Sequence, residues 1–444
     1  MQPGASATLT RPPGASPTDE RSTLPAPPAT APTLGVAAGE RERAVSSRPA
    51  LPGVATADGE YAVLVLRTIE ELATHRAAWD GLAAAAVEPN PFYESWMLLP
   101  ALREFGAGRD LEFVLVFGYA DEVPGVAPVL CGLFPLERRR TIAGLPIRHR
   151  VGWRHDYCFS GVPLVRRGRE RAVVTAFLDA MDAHRDGGGV VRLGQWPADG
   201  SLHAATVDAL DRRAAAVYVR SRASRAVLRP AADADAYLED ALSPKRRKEF
   251  GRLERRITEA GEVRFDALRA DGDVGAWLAE FVALEAKGWK GREGTAFRAR
   301  EADARWLEEV VRAAFALGRL DALALRHDGR AIAMKLNFLA ADGGFAFKIA
   351  FDEEWGKYSP GVLLELENVR RVHARADVRW MDSCADPHHP MANRLWSGRR
   401  VYEDFFCALR GGVPALALSL MPLGRWLRGA FRRRPAPPNG DRAP

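Results

Sequence analysis

A lysine set among alanines is the first feature equipped for chemistry. It lies in GFAFKIAF, residues 344–351. In an extended chain, alternate side chains turn to opposite faces. Phe345, Phe347, Ile349 and Phe351 are therefore expected on one side, and Lys348, between Ala346 and Ala350, on the other. Such a lysine either faces a cleft or reaches water from an edge strand. Further on, Asp382-Ser383-Cys384 follows the run DVRWM. Asp382 suits a general base, or an ion-pair partner for Lys348. Cys384 suits a nucleophile or a small buried thiol. His388 and His389 sit in a proline-bounded loop. They can take a proton near neutral pH, or be an ordinary surface pair. Asp386 with these histidines is a thin metal set, because nothing else stands at ligand spacing. The four cysteines, Cys131, Cys158, Cys384 and Cys407, form no C-x-x-C pair, so no zinc site or thioredoxin motif is expected.

A second feature is the turn Ser359-Pro360-Gly361 at the head of an apolar-faced run, Val362, Leu363, Leu366 and Val369. Serine is a good N-cap and proline suits the first helical position. Gly361 is a poor helix former whose use is close approach to the backbone. The turn is thus a capped core helix, or a helix start whose bare N–H groups meet an anion. Three other segments carry candidates. Glu285, Lys287, Trp289 and Lys290 lie where a helix runs into the glycine-spaced loop GWKGREGTAF, and WRHDYCFSG places His155, Asp156 and Tyr157 after a strand. The run Lys245–Arg256 is strongly basic, which suits a phosphate-bearing ligand or a solvated helix face.

The elements that must position these residues read as mixed α/β. The order of elements occurs twice: helices, an antiparallel meander, a helix, and one more strand. In the first half the strands are YAVLVLRT, LEFVLVFGYA, PVLCGLFPLE, HRVGWR, GVVRLGQW and AVYVRS. In the second half they are SRAVLRP, LDALALRH, AIAMKLNFLA, GFAFKIAF and DVRWMDS. His327-Asp328-Gly329-Arg330 and Ala341-Asp342-Gly343-Gly344 are expected hairpin turns. The expected units are a disordered Pro/Ala-rich segment 1–58, a first domain 59–222, a second domain 223–410, and a basic, amphipathic then disordered tail 411–444. At 444 residues, with 63 basic against 57 acidic side chains, the net charge is only +6. That is not a DNA-binding composition. No signal peptide, no run of about 20 apolar residues, and no G-x-x-x-x-G-K-[ST], G-x-S-x-G or H-E-x-x-H motif is found.

KIAFDEEWGKYSPGVLLELE resembles the GNAT-type acyltransferases of the CelD-like branch, associated with cellulose biosynthesis. SPKRRKEFGRLERRITEAGEVRF, FVALEAKGWKGREGTAF and MDSCADPHHPMANRLW resemble the same proteins in the same order. These are in turn similar to the Fem peptidyltransferases, which carry two GNAT-like domains in tandem. The resemblance implies two tandem GNAT-like domains and an acyl-CoA-dependent N-acyltransferase acting on a small or glycan-linked acceptor in envelope or exopolysaccharide metabolism. Acetyl-CoA or another acyl-CoA would be co-substrate, its pyrophosphate held by Ser359, Pro360, Gly361, Val362 and Leu363. The usual Q/R-x-x-G-x-G/A loop is replaced here by Trp355–Gly361. Chemistry would fall to Lys348, Asp382, Cys384 and His388, and acceptor contacts to Asp156, Tyr157, Glu285, Trp289 and Lys290. A Fem-like transfer from aminoacyl-tRNA and a non-catalytic scaffold for a polysaccharide synthase are the alternatives. The expected location is the cytoplasm, with membrane contact possible through the arginine-rich tail.

Overall fold

Runs rich in β-branched and aromatic residues extend and pair, and here they do so into one continuous sheet. The computed structural model describes residues 51–421 apart from 57–58, 120–126 and 143. The first half comprises β1 Val54–Ala55, β2 Tyr61–Leu66, α1 Ile69–Thr74, α2 Arg76–Ala84, α3 Ser95–Phe105, β3 Leu111–Tyr119, β4 Pro128–Arg139, β5 His149–Gly152, β6 Leu164–Val165, α4 Glu170–Ala183, β7 Val190–Pro197 and α5 Gly200–Arg212. Then come β8 Val217–Leu228, α6 Ala234–Ala241, α7 Pro244–Glu259, β9 Val263–Ala267, α8 Val274–Lys287, α9 Trp289–Arg292 and α10 Glu301–Ala316. The chain continues with β10 Leu320–His327, β11 Arg330–Ala340, β12 Gly343–Phe351, α11 Pro360–His373, β13 Trp380–Asp382, α12 Pro390–Leu395, β14 Gly398–Ala408 and α13 Gly412–Ser419. The strand order is β1-β2-β3-β4-β5-β7-β14-β8-β13-β12-β11-β10-β9, with β6 beside β4.

The duplicated order is plain in three dimensions. Strands β2 to β5 form an antiparallel meander, and α4 then crosses to β7, which lies parallel to β5. Strands β9 to β12 form a second meander, and α11 crosses to β13, parallel to β12. One face of the sheet carries α3, α8 and α10, which share a core with both halves. Phe92 meets Phe345 edge-on at 5.8 Å, and Trp96 meets Phe338 at 5.7 Å. The opposite face carries α4 and α5 over the first half, and α6, α7 and α11 over the second.

Four expectations change. AVYVRS and SRAVLRP are one strand, β8, so the expected boundary at 222/223 falls inside it. Strands β9 and β14 were not anticipated. Strand β14 lies between β7 and β8, joining the two halves through a long antiparallel ribbon. Residues 54–55, expected to be disordered, pair with Ala62 and Val63. The hydroxyl of Thr56 donates to the Tyr61 carbonyl at 2.9 Å, which closes that hairpin. Residues 1–50 and 57–58 of the N-terminal segment and the tail beyond 421 lie outside the described residues. The Asp328-Gly329 turn is as expected, both residues having positive φ.

Candidate functional site

Strands β12 and β13 pair over three positions only, Gly343 with Trp380, Gly344 with Met381 and Phe345 with Asp382. Past that point they part, and the start of α11 faces the gap. A cavity of about 570 Å³ occupies it, with Trp289, Lys348, Ser359, Gly361, Glu365 and Cys384 among its walls.

The simple alternation expected along β12 is broken by a bulge. Leu336 pairs with Lys348 and Asn337 with Ala346, leaving Phe347 as the extra residue. A bulge shifts the pattern by one. Lys348 therefore joins the Phe347 face instead of opposing it. Its Nζ lies 5.3 Å from the ring centroid of Tyr157 and 5.7–5.8 Å from those of Phe159, Phe297 and Phe347. Among the described residues it has no hydrogen bond or ion pair. Burial first, then the Lys290 charge, hold its pKa down to about 8. Ring faces attract the cation but cannot replace its hydration.

At the head of α11, Ser359 does not cap. It adopts a left-handed conformation, φ 51° and ψ 53°, and its side chain makes no cap hydrogen bond. Pro360 has no N–H. The N–H groups of Val362 and Leu363 both donate to the Ser359 carbonyl, at 2.9 and 3.2 Å. The expected row of bare amides thus reduces to one first-turn donor, the Gly361 N–H, beside the Ser359 hydroxyl. A Cβ at Gly361 would find nothing nearer than Phe351 Cδ1 at 3.5 Å, so this wall is open. Ser359, Pro360, Gly361 and Val362 line the cavity, whereas Leu363 is in the core against the sheet.

Asp382 does not meet Lys348. It is buried under the cavity, 3.1 Å from the Arg225 guanidinium, and accepts a short hydrogen bond from the Tyr402 hydroxyl. Arg225 also lies 3.8 Å from the Tyr402 ring centroid and donates to the Phe159 carbonyl at 2.9 Å. This cluster ties β8, β13 and β14 together. Both the general-base and the ion-pair expectations for Asp382 fail, because its oxygens are already used. The Cys384 N–H donates to Asp382 Oδ1 at 2.7 Å, and this holds Cys384 at φ 49°. Burial, then the Asp382 charge, push the Cys384 thiol well up, so it is a buried thiol and not a ready nucleophile. His388 is exposed and off the cavity. Its neighbour His389 lines it, and accepts from the Ala392 N–H at 3.3 Å through Nδ1. Burial lowers the His389 pKa.

Of the expected acceptor contacts, Trp289 and Lys290 line the cavity. Glu285 is buried and already engaged, by Lys290 Nζ at 2.9 Å and the Phe297 N–H at 3.0 Å; it shapes the loop. Tyr157 forms part of the aromatic cage, and its hydroxyl donates to Asp303 at 2.7 Å. Asp156 belongs to a second cavity, of about 470 Å³, that shares Phe159, Cys384 and Ala385 with the first. Sequence reasoning overlooked Lys335 and Glu365, a buried pair at 2.8 Å in the first cavity's wall. Glu365 accepts from Asn368, whose side chain accepts from Asn337. The signal was available: Lys335 and Asn337 interrupt an apolar strand, and Glu365 and Asn368 lie on the apolar side of α11. Buried polar groups need such partners.

Residues 244–389 match the family described as Acetyltransferase (GNAT) domain. The match spans α7 to His389 and so includes both splayed strands and the start of α11. The chain carries a GNAT acetyltransferase domain, and with it the character of an acyltransferase. No curated protein matches the sequence. Solved structures similar in fold include a conserved protein of unknown function from Bacteroides thetaiotaomicron VPI-5482, 12% identical, covering 77% of this chain and 98% of its own, TM-score 0.45. FemX is 11% identical, covering 78% and 97%, TM-score 0.49. A tandem GNAT protein from the clavulanic acid biosynthesis pathway is 15% identical, covering 79% and 99%, TM-score 0.37.

Proposed function

We propose that the protein transfers an acyl group from acyl-CoA to an amine, with the thioester lying in the splay between β12 and β13. The observation that carries this reading is Lys348, an unpaired amine in the cleft wall with its pKa held at about 8. At that value a useful fraction is neutral near physiological pH. The Gly361 N–H, the Ser359 hydroxyl and the positive end of α11 face the donor's diphosphate. The acceptor amine attacks the thioester carbonyl and a C–N bond forms. Neutral Lys348 takes the proton the amine loses. The tetrahedral intermediate collapses, the C–S bond breaks, and the Lys348 ammonium returns the proton to the departing thiolate. Cys384 forms no covalent intermediate in this scheme, consistent with its buried, protonated thiol. Ser359, Cys384 and Gln195 all have left-handed backbones and all border the two cavities. Non-glycine residues pay roughly 1–2 kcal/mol for that conformation, and such strain concentrates where a backbone must present itself to a ligand.

Titration calorimetry against acetyl-CoA, longer acyl-CoAs and free CoA tests the donor. Binding is expected, and Gly361→Trp should abolish it by filling the open wall. A protein that binds no CoA thioester sinks the reading. The four motifs resembling CelD-like proteins support a place in envelope or exopolysaccharide assembly. Val413 and Leu416 in α13, and Leu420 at its C-cap, are exposed, which supports contact between this end of the chain and a membrane surface. No helix among the described residues is long and apolar enough to cross a membrane. A second reading, an aminoacyl-tRNA donor, is favoured by α7, where Lys245, Lys248, Arg252 and Arg255 border one shallow groove. Binding of tRNA that weakens steeply with salt is its test.

A further inference from the structure

The second cavity repeats the construction of the first in the other half of the chain. Parallel strands β5 and β7 pair over two positions, Arg150 with Val191 and Val151 with Arg192, and then part. The cavity lies at that parting, with Arg154, His155 and Asp156 on the β5 side and Gln195 on the β7 side. Asp386, from the second half, lies across it, and Arg225 is at its base.

Two groups here have unused hydrogen-bonding capacity. Arg154 is half-buried and makes no hydrogen bond or ion pair among the described residues. The nearby carboxylate of Asp404 is taken by Arg192, at 2.9 and 2.5 Å. Glycine at 161 and 194 leaves room for the arginine: a Cβ at Gly161 would lie 3.1 Å from Arg154 Cδ, and one at Gly194 3.7 Å from its Nη2. Both ring nitrogens of His155 are shielded from solvent and have no partner. Arg225, by contrast, is held by the Asp382 carboxylate, the Tyr402 ring and the Phe159 carbonyl. A half-buried guanidinium with no carboxylate partner keeps its donors free, and its fork geometry fits a carboxylate or phosphate.

We infer that this cavity is the acceptor site and that it takes a small primary amine bearing an anionic group, with the carboxylate or phosphate on Arg154 and the amine directed past Cys384 and Ala385 into the first cavity. The assignment as acceptor rests on the acyl-transfer reading; the anion preference does not. The amine end enters as an ammonium, which the Asp386 carboxylate in this cavity's wall attracts; it sheds one proton to solvent before attack, and Lys348 takes the second as the C–N bond forms. A volume of about 470 Å³ suits a molecule the size of an amino acid or an amino-sugar phosphate.

The test is calorimetry without donor, using two matched pairs of probes: ornithine against putrescine, and glucosamine 6-phosphate against glucosamine. In at least one pair the member bearing the anionic group should bind tenfold or more tightly than its counterpart lacking that group. Which pair does so distinguishes a carboxylate from a phosphate. In Arg154→Gln the two members should come within about twofold, while the acetyl-CoA affinity stays that of the parent. If neither anionic probe binds, or if the preference survives Arg154→Gln, the inference is overturned. Should Arg154→Gln fail to fold, the parent protein's preference and a several-fold smaller one in Arg154→Lys decide the matter. Anionic-amine binding in a protein that ignores CoA thioesters would sink the donor reading and leave this ligand site standing.

Discussion

The two halves build one device and use it differently. In the second half, residues 352–359 lead from β12 directly into α11, whose start looks into the splay. In the first half, residues 153–169 intervene between β5 and α4 and fold back across the splay. Part of that segment, β6, pairs with β4, and Val162 and Leu164 are buried. Helix α4 begins after Arg169, a cation, with no capping side chain. That cation adds to the positive end of the helix rather than opposing it, so what separates this helix start from the splay is the segment folded over it. The same scaffold thus leaves one cleft open at a helix start, and another closed to it but furnished with Arg154. Chain connection, rather than sheet topology, decides which cleft can receive a diphosphate.

The sharpest way to break the contrast is Lys348→Met. It should lower kcat by about 10²–10⁴-fold with donor affinity little changed. The parent's kcat should fall about tenfold per pH unit below the Lys348 pKa of about 8, because only the neutral amine accepts a proton, and should level off above it. The variant's profile should lose that limb. A parent profile that instead falls as pH rises through 8 would overturn the general-base role. Next in size is Arg225→Met, which strands the Asp382 charge beneath both clefts. A loss of about 3–5 kcal/mol is expected, read by urea denaturation.

His155 offers a test confined to the first half. Burial, then the Arg154 charge, hold its pKa at about 3. Between the unfolded value, about 6.5, and that folded value, the unfolded chain binds a proton that the folded chain does not. Stability therefore falls as pH drops through this window. His155→Phe should lose about 3 kcal/mol less than the parent between pH 6.5 and pH 4, measured by denaturation at each pH. The smallest effect is expected at Gly361→Ala. Its Cβ meets only ordinary contacts, so stability should change by less than about 1 kcal/mol, while Gly361→Trp removes donor binding.

Much of this was readable along the chain. The helices around α7, α8 and α11 were legible because their apolar residues recur every three or four positions. Lys348, Trp289, Lys290 and the Ser359 turn, singled out for separate roles, all line one cavity, since strand ends and glycine-rich turns converge at such places. Asp382 was not legible as an engaged residue, because its partners Arg225 and Tyr402 come from β8 and β14. Lys348 was assigned to the wrong face because a bulge depends on the partner strand, not on the strand itself. His388 was preferred to His389 because a loop's curvature decides which of two adjacent rings turns inward.

Local periodicity and turn chemistry alone determined the mixed α/β class, the doubled order of elements and most helices, because those preferences act within a few residues. The tertiary structure decided the rest: β14 seated between β7 and β8, the flip at Phe347, the left-handed turns at Ser359 and Cys384, and the cage around Lys348. Each of these depends on contacts between segments far apart in the chain, and no short window of sequence contains both partners.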